Sequence, residues 1–147
     1  MAGQLKLVPG GFELPWQDER GGRIRYYSKE EEQAILGTVL LWGQHDHHDL
    51  FTFLVDTGCR LGEARKVRWV DLRGGTVSFI DTKTGNDRGV PLTQRAQDAV
   101  RRMKERHPTW AGPFEQMYER KLRNVWDKLR GHFEWMDEHT VIHTFRH

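Results

Sequence analysis

The stretch TVSFIDTKTGNDRGVPL, residues 76–92, decides the fold class of this chain because it alone carries the pattern of a β-hairpin. TVSFI is β-branched and aromatic, TKTGND consists of turn-forming and polar residues, and RGVPL has the pattern of a second short strand. Pro91 has no amide hydrogen to donate, so it fits only an edge strand or a strand end. We predict one small antiparallel hairpin here, with Lys83 in its turn.

Helical patterns precede the hairpin. In SKEE, residues 28–31, Ser and Glu have the spacing of a capping box, and apolar residues then recur at helical spacing, which predicts a helix over roughly 29–42. GQHDHHD, residues 43–49, is interpreted as a polar connector. LFTFLVD, residues 50–56, predicts a second, mostly buried helix that ends at Gly58. A third helix is predicted to start in RLGEARKVRW.

Helical patterns also follow the hairpin. Thr93 is a suitable N-cap for a helix that runs to about His107, where HPTWAGP interrupts the pattern. Beyond this break, apolar residues lie at steps of three and four, which predicts one long amphipathic helix. They are Phe114, Tyr118, Leu122, Val125, Leu129 and Phe133. We therefore expect an α+β fold, mainly helical with a small antiparallel β-sheet.

The composition is that of one globular domain. The 147 residues include six Trp and seven Phe, and 37% are hydrophobic, which is enough to form one core. Glycines and Pro15 among mixed charges predict an extended arm or linker over residues 1–27, followed by one domain over residues 28–147. The net charge of +2 favours contact with polyanions only weakly.

The cellular compartment follows from what the sequence lacks. Cys59 is the single cysteine, which excludes an intramolecular disulfide and a CxxC metal site. The longest apolar run, AILGTVLLW at 34–42, is too short to span a bilayer, and residues 1–20 have no apolar signal-peptide region. We expect a soluble protein of the cytoplasm with no membrane partner.

Three segments carry residues that suit chemistry on phosphate. DTGCRLGEARKVRW places Arg60 after a glycine turn with Glu63 three residues later, a spacing that often gives only a surface ion pair. TKTGND places Lys83 in a turn, where most lysines simply face water. HTFRH adds a proton-transfer group, His143, beside the donor-rich side chain of Arg146. Each feature alone is ordinary, so only their combination indicates a shared function.

In this order, TGCRLGEA, TKTGNDRGVPL and HTFRH resemble the motifs of the tyrosine recombinase family, the phage integrases. HTFRH is similar to the family's His-x-x-Arg-His box, with Phe145 where Leu is usual. The resemblance runs from about Arg23 to the last residue and implies a tyrosine recombinase catalytic domain over residues 28–147. It implies site-specific, metal-independent DNA strand cleavage and rejoining through a 3′-phosphotyrosyl intermediate, with no cofactor and no metal.

The resemblance also implies a role for each motif residue. Arg60 and Arg146 would hold the scissile phosphate, and Glu63 would support the site. Lys83 would protonate the departing 5′-oxygen, and His143 would move a proton at the nucleophile. These roles suit the chemistry because two guanidiniums can hold the non-bridging oxygens bidentately without a metal ion.

Duplex DNA is the partner that the resemblance implies. Arg65, Lys66, Arg68 and Arg88 are the candidate DNA-binding cations outside the cleavage residues. The family acts as a DNA-bound tetramer, and we expect this chain by itself to be monomeric. The implied location is the nucleoid of a bacterial or phage-infected cell.

The nucleophile is not apparent in the sequence. In this family the attacking tyrosine lies a few dozen residues beyond the His-x-x-Arg box, whereas Tyr26, Tyr27 and Tyr118 all precede it. We therefore expect a catalytic domain truncated after the box, with its nucleophile outside the chain and no cleavage activity on its own.

Two alternative functions remain open, a metal site and a non-catalytic DNA-binding module. HDHHD at 45–49, or His139 with His143, offers potential metal ligands, although Thr140 stands where a zinc protease would have its Glu. LFTFLVDTGCRLGEARKVRW also fits a non-catalytic helix-turn-helix DNA-binding module with Arg65, Lys66 and Arg68 on its recognition helix.

Overall fold

The computed structural model describes residues 27–80 and 87–136 of the chain. The arm or linker expected over residues 1–27 therefore lies outside the described residues, apart from Tyr27 at its end. Lys83, His143 and Arg146 also lie outside them.

The described residues form five helices and a three-stranded antiparallel sheet, which confirms the predicted fold class. A 3₁₀ turn over Trp69–Asp71 links the third helix to the first strand. In chain order, the elements are α1 (Lys29–Leu41), α2 (His45–Thr57), α3 (Leu61–Lys66), β1 (Leu72–Arg73), β2 (Thr76–Ile80), β3 (Asp87–Pro91), α4 (Gln94–Arg106) and α5 (Glu119–His132).

Helix α1 begins with the predicted capping box. The Ser28 hydroxyl accepts a hydrogen bond from the Glu31 amide at 3.1 Å, and the Glu31 carboxylate accepts one from the Ser28 amide at 3.0 Å. Two amide groups that the helix cannot satisfy are thereby paired. Ile35, Leu36 and Val39 face the core, as the apolar spacing predicts.

Helix α2 begins earlier than predicted. The interpretation of residues 43–49 as a connector was wrong for residues 45–49, because α2 starts at His45 and buries both His47 and Asp49. Asp49 is buried since Arg102 and Arg106 of α4 hold its carboxylate, a pairing across more than 50 residues that a local pattern does not reveal. The predicted end at Gly58 is confirmed by its left-handed backbone, with φ of 71°.

The hairpin of residues 76–92 is confirmed, and the sheet has one more strand than predicted. Val77 of β2 pairs with Val90 of β3, and β3 is an edge strand that accommodates Pro91. The additional strand β1 pairs with β2 through a two-residue turn at Gly74 and Gly75. Both glycines have positive φ, 57° and 75°, as a tight hairpin turn requires.

The long amphipathic helix predicted from Phe114 is shorter than expected. Helix α5 starts at Glu119, and Phe114 is buried in the irregular segment before it. That segment is held against the end of α3 because the Trp69 indole donates to the Trp110 carbonyl at 2.6 Å. Gly112 lies so close to the Val67 carbonyl that a β-carbon there would be 1.8 Å from the oxygen.

Helix α2 forms the centre of the core. It packs against α1 on one side and α4 on the other. Phe53 of α2 contacts Phe79 of β2 and Phe114, with ring centroids 6.5 Å and 5.1 Å apart, so the sheet and the segment before α5 join the same core. In the part of the chain that the structure describes, no helix is long and apolar enough to cross a membrane.

Candidate functional site

The candidate site is built around the turn from α2 into α3. Gly58 ends α2 in a left-handed conformation, and Arg60 then occupies the N-cap position of α3 with an extended backbone. The carboxylate of Glu63, in the first turn of α3, accepts a hydrogen bond from the Arg60 amide at 2.9 Å. This bond fixes the start of α3 and leaves the side chain of Arg60 on the surface.

The same carboxylate reaches the hairpin. Arg88 of β3 donates to Glu63 through both terminal nitrogens, at 3.1 Å and 3.3 Å. The guanidinium of Arg88 also lies over the ring of Phe79, 4.8 Å from its centroid. Glu63 therefore joins the backbone of Arg60 to strand β3.

Cys59 lies beside these residues but belongs to the core. It is 1% exposed, and burial raises the pKa of its thiol to about 12. The Thr57 hydroxyl accepts from the Cys59 amide at 3.3 Å and donates to the Phe53 carbonyl at 2.8 Å, which holds the turn in place. A thiol with this pKa is a poor nucleophile near neutral pH.

The four predicted DNA-binding cations have different environments. Lys66 and Arg68 are exposed, and the Nε of Arg68 is 4.0 Å from the Asp71 carboxylate. Arg65 is partly buried, with its guanidinium 5.7 Å from the centroid of the Tyr118 ring. Arg88 is paired with Glu63, as described above. Whether these cations contact DNA stays a prediction.

The remaining predicted catalytic residues, Lys83, His143 and Arg146, lie outside the described residues. Of the expected site, the structure thus brings together Arg60 and Glu63. The roles assigned to all five residues stay predictions.

The metal alternative gains no support from α2. Asp46 accepts hydrogen bonds from Arg106 and His107, and Asp49 accepts them from His48, Arg102 and Arg106, so both carboxylates are already occupied. Within residues 27–80 and 87–136, no group of three or more His, Cys, Asp or Glu side chains is placed to hold a metal ion. His139 lies outside these ranges.

The sequence profile of the phage integrase family matches residues 26–147. The chain belongs to the phage integrase family. Among curated proteins, a shufflon-specific DNA recombinase of Escherichia coli is 38% identical over 56 residues, which cover 37% of this chain and 15% of that protein.

Two solved structures share the fold of this integrase-family chain. The XerA recombinase superposes with a TM-score of 0.62 at 16% identity, over 82% of this chain and 46% of that one. The Tn1549 transposon integrase, solved in complex with circular intermediate DNA, gives a TM-score of 0.67 at 15% identity, over 85% and 52% of the two chains. The chain thus matches about half of each solved structure.

The bond between Glu63 and Arg88 is the part of the candidate site that the sequence did not indicate. Twenty-five residues separate the two side chains, and no helical or strand spacing relates them. Nothing in the sequence distinguishes Arg88 from any other exposed cation in a strand. Its pairing depends on how α3 packs against the sheet, which only the folded chain defines.

Proposed function

We propose that this chain is part of the catalytic domain of a site-specific DNA recombinase. The domain would cleave and rejoin duplex DNA without a metal ion through a 3′-phosphotyrosyl intermediate. Membership of the phage integrase family supports this proposal. The observation that carries it is the position of Glu63, which holds the Arg60 amide and the hairpin strand through Arg88.

Arg60 and Arg146 would bind the scissile phosphate. Attack on a phosphodiester concentrates negative charge on the non-bridging oxygens, and fixed guanidiniums stabilise that charge more effectively than water does. Glu63 would act as a positioning residue, since it fixes the backbone from which Arg60 extends. A neutral replacement at residue 60 would leave the developing charge with only one of its two guanidiniums.

The cleavage step would form a bond between phosphorus and the tyrosine oxygen and break the bond to the 5′-oxygen of the leaving strand. His143 would accept the tyrosine proton, and Lys83 would protonate the 5′-oxygen as it leaves. The covalent intermediate conserves the phosphodiester energy, so rejoining needs no nucleotide hydrolysis.

None of the three tyrosines is assigned as the nucleophile. Tyr27 packs its ring against Trp126 and Trp135, with centroids 6.4 Å and 5.8 Å apart. Tyr118 is the N-cap of α5 and lies beside Arg65. Tyr26 is outside the described residues. The proposal places the attacking tyrosine outside residues 1–147.

Duplex DNA is the proposed partner, and assembly as a DNA-bound tetramer belongs to the same proposal. The Tn1549 integrase that shares the fold was solved with DNA, which supports a DNA-acting role here. A helix-turn-helix module is less well supported. Helix α3 has 6 residues and ends before Arg68, so it is short for a recognition helix.

The test compares DNA cleavage by Arg60→Ala with cleavage by Arg101→Ala, in the full-length protein that contains this chain. Arg101 is exposed on α4 and pairs with Asp98, so its loss should leave cleavage unchanged. We expect Arg60→Ala to slow single-turnover cleavage of a saturating nicked duplex by roughly 10²-fold or more. Equal rates for the two variants would contradict the proposed role.

A further inference from the structure

Asp56 lies in the last turn of α2, where its charge is unfavourable for the helix itself. The C-terminal end of a helix carries the negative end of the helix dipole, which repels a carboxylate. The side chain of Asp56 is nevertheless only 8% exposed, so it is also withdrawn from most of the water that would stabilise its charge. The stability of α2 alone therefore does not explain why an acidic residue is held at this position.

The Asp56 carboxylate is held by residues that follow strand β3. Arg95 donates to it through Nε and a terminal nitrogen, each at 2.7 Å, and the Thr93 hydroxyl donates to the Oδ2 atom. The same hydroxyl accepts a hydrogen bond from the Ala96 amide at 3.2 Å, as the N-cap of α4. Arg95 also donates to Glu32 of α1 at 2.8 Å. Charge-assisted hydrogen bonds therefore link the end of α2 to the start of α4 and to α1.

Two carboxylates flank Arg60, and both are bound by residues of β3 or just beyond it. Asp56 precedes Arg60 by four residues, and Glu63 follows it by three. Arg88 of β3 holds Glu63, whereas Thr93, two residues beyond the end of β3, holds Asp56. The turn that carries Arg60 is thus attached to the rest of the domain on both sides.

These two attachments supply what the turn lacks by itself. Its shape is set by the left-handed Gly58 and by the hydrogen bond from the Cys59 amide to the Thr57 hydroxyl. Its middle is anchored in the core because Cys59 is buried. A turn anchored at one buried residue can still rotate about that residue, whereas links on both sides of it oppose such rotation. The direction in which the Arg60 side chain leaves the turn depends on this rotation.

We propose that Asp56 is a positioning residue for Arg60, and that with Thr93 and Arg95 it holds the turn that presents the Arg60 guanidinium to the scissile phosphate. This role rests on the proposed function. Asp56 acts through the backbone and makes no contact with the DNA. Misplacement of a catalytic group by about 1 Å can slow a reaction on the order of 10²-fold. Because Glu63 still holds the other side of the turn, loss of Asp56 should cost less, roughly ten-fold.

The test is single-turnover cleavage of a saturating nicked duplex by Asp56→Asn, in the full-length protein that contains this chain. Asp49→Asn is the matched control, because Asp49 lies on the same helix and is also held by arginines of α4. Both substitutions weaken the attachment of α2 to α4 and should lower the stability measured by urea unfolding. In folded protein, monitored by circular dichroism, only Asp56→Asn should lower the cleavage rate constant, roughly ten-fold. Equal rate constants for the two variants would overturn the proposal.

Thr93→Val keeps the proposal testable if Asp56→Asn does not fold. This substitution removes one hydrogen bond to Asp56 and leaves those from Arg95 in place. It should slow cleavage several-fold, and Thr93→Ser, which keeps the hydroxyl, should restore the wild-type rate. A Thr93→Val protein that cleaves as fast as wild type would also overturn the proposal.

Combination with Arg60→Ala tests whether the effect of Asp56 passes through Arg60. In the Arg60→Ala background, Asp56→Asn should not slow the residual cleavage further, because the guanidinium that it positions is already absent. Additive effects would mean that Asp56 acts elsewhere, and the proposed role would be wrong. If the wild type does not cleave, the proposed function is rejected and this role with it. If cleavage depends on Arg60 but not on Asp56, only the positioning role is rejected.

Discussion

The carboxylate of Glu63 accepts two hydrogen bonds from the guanidinium of Arg88 and a third from the amide of Arg60. Helix α3 and strand β3 are therefore coupled at the start of α3. This coupling fits the proposal that Arg60 and Lys83, which follows β2 in the sequence, act on the same phosphate.

We expect Arg88→Gln to reduce DNA cleavage by roughly ten-fold, about 1.4 kcal/mol, because the hairpin strand loses its charged link to Glu63. Stability should fall by no more than about 1 kcal/mol, since the ion pair is partly exposed to water. Single-turnover cleavage and urea unfolding measure the two effects. If Arg88 acted only through DNA affinity, saturating DNA would restore the wild-type rate, and the positioning role would be rejected.

A double-mutant cycle that combines Arg88→Gln with Glu63→Gln tests whether the two side chains affect cleavage through their shared hydrogen bonds or independently. The two substitutions should not be additive in the cleavage rate, because each breaks the same hydrogen bonds. Arg101→Gln, on the exposed face of α4, should be additive with Glu63→Gln.

Asp49 should make the folded state sensitive to acid. Burial alone would raise the pKa of its carboxyl, but hydrogen bonds from His48, Arg102 and Arg106 outweigh burial and lower it. A lowered pKa in the folded state means that the stabilisation is present above the ordinary value of 3.8 and is lost as the pH falls through the folded value. We expect Asp49→Asn to lower the free energy of unfolding by about 3 kcal/mol near pH 7.

Urea unfolding over a pH series measures this effect. The difference between wild type and Asp49→Asn should shrink below about pH 4, as the wild-type carboxyl becomes protonated. Glu105→Gln, at an exposed position on α4, serves as the control. A difference that stayed constant down to about pH 2 would show that the charge of Asp49 does not stabilise the fold.

Two glycine-to-alanine substitutions should change the stability of the fold in opposite directions. Gly112→Ala would place a β-carbon 1.8 Å from the Val67 carbonyl oxygen, so the segment that carries Phe114 has to move away from α3. We expect a loss of about 3 kcal/mol or more, as for other severe core disruptions. Thermal unfolding followed by circular dichroism measures it.

Gly131→Ala is the matched substitution within α5. No atom lies within 4 Å of the new β-carbon, and alanine has the higher helix propensity, so stability should rise by about 0.5–1 kcal/mol. Equal melting temperatures for the two variants would contradict the close approach at Gly112.

Cys59 should resist alkylation in the folded protein. With a pKa of about 12, only about one thiol in ten thousand is ionised near pH 8, and the side chain is buried as well. Iodoacetamide labelling followed by mass spectrometry should show reaction in urea and almost none without it. Rapid labelling of the native chain would mean that the turn between α2 and α3 opens readily.

The sequence predicted the features that depend on neighbouring residues. The capping box at Ser28, the helix end at Gly58 and the hairpin of residues 76–92 are all set by local hydrogen bonds or backbone geometry. The spacing of Arg60 and Glu63 likewise placed both residues at the start of one helix. The adjacent glycines Gly74 and Gly75 are a local signal of the turn between β1 and β2.

The sequence did not predict the features that depend on distant residues. Asp49 is polar, and the arginines that allow its burial are more than 50 residues away. Phe114 has the helical spacing of α5 but lies before the helix, because the contact between Gly112 and Val67 holds its segment in another path. Arg88 was expected to face DNA, and its link to Glu63 requires the packed sheet.

The most direct test of the account is covalent trapping of the full-length protein on a nicked suicide duplex in the presence of EDTA. We expect a protein-linked DNA band on denaturing electrophoresis, lost in Arg60→Ala and retained in Tyr118→Phe. Mass spectrometry of the adduct should identify a tyrosine outside residues 1–147. A band that requires Mg²⁺, or one that disappears in Tyr118→Phe, would contradict the proposed mechanism.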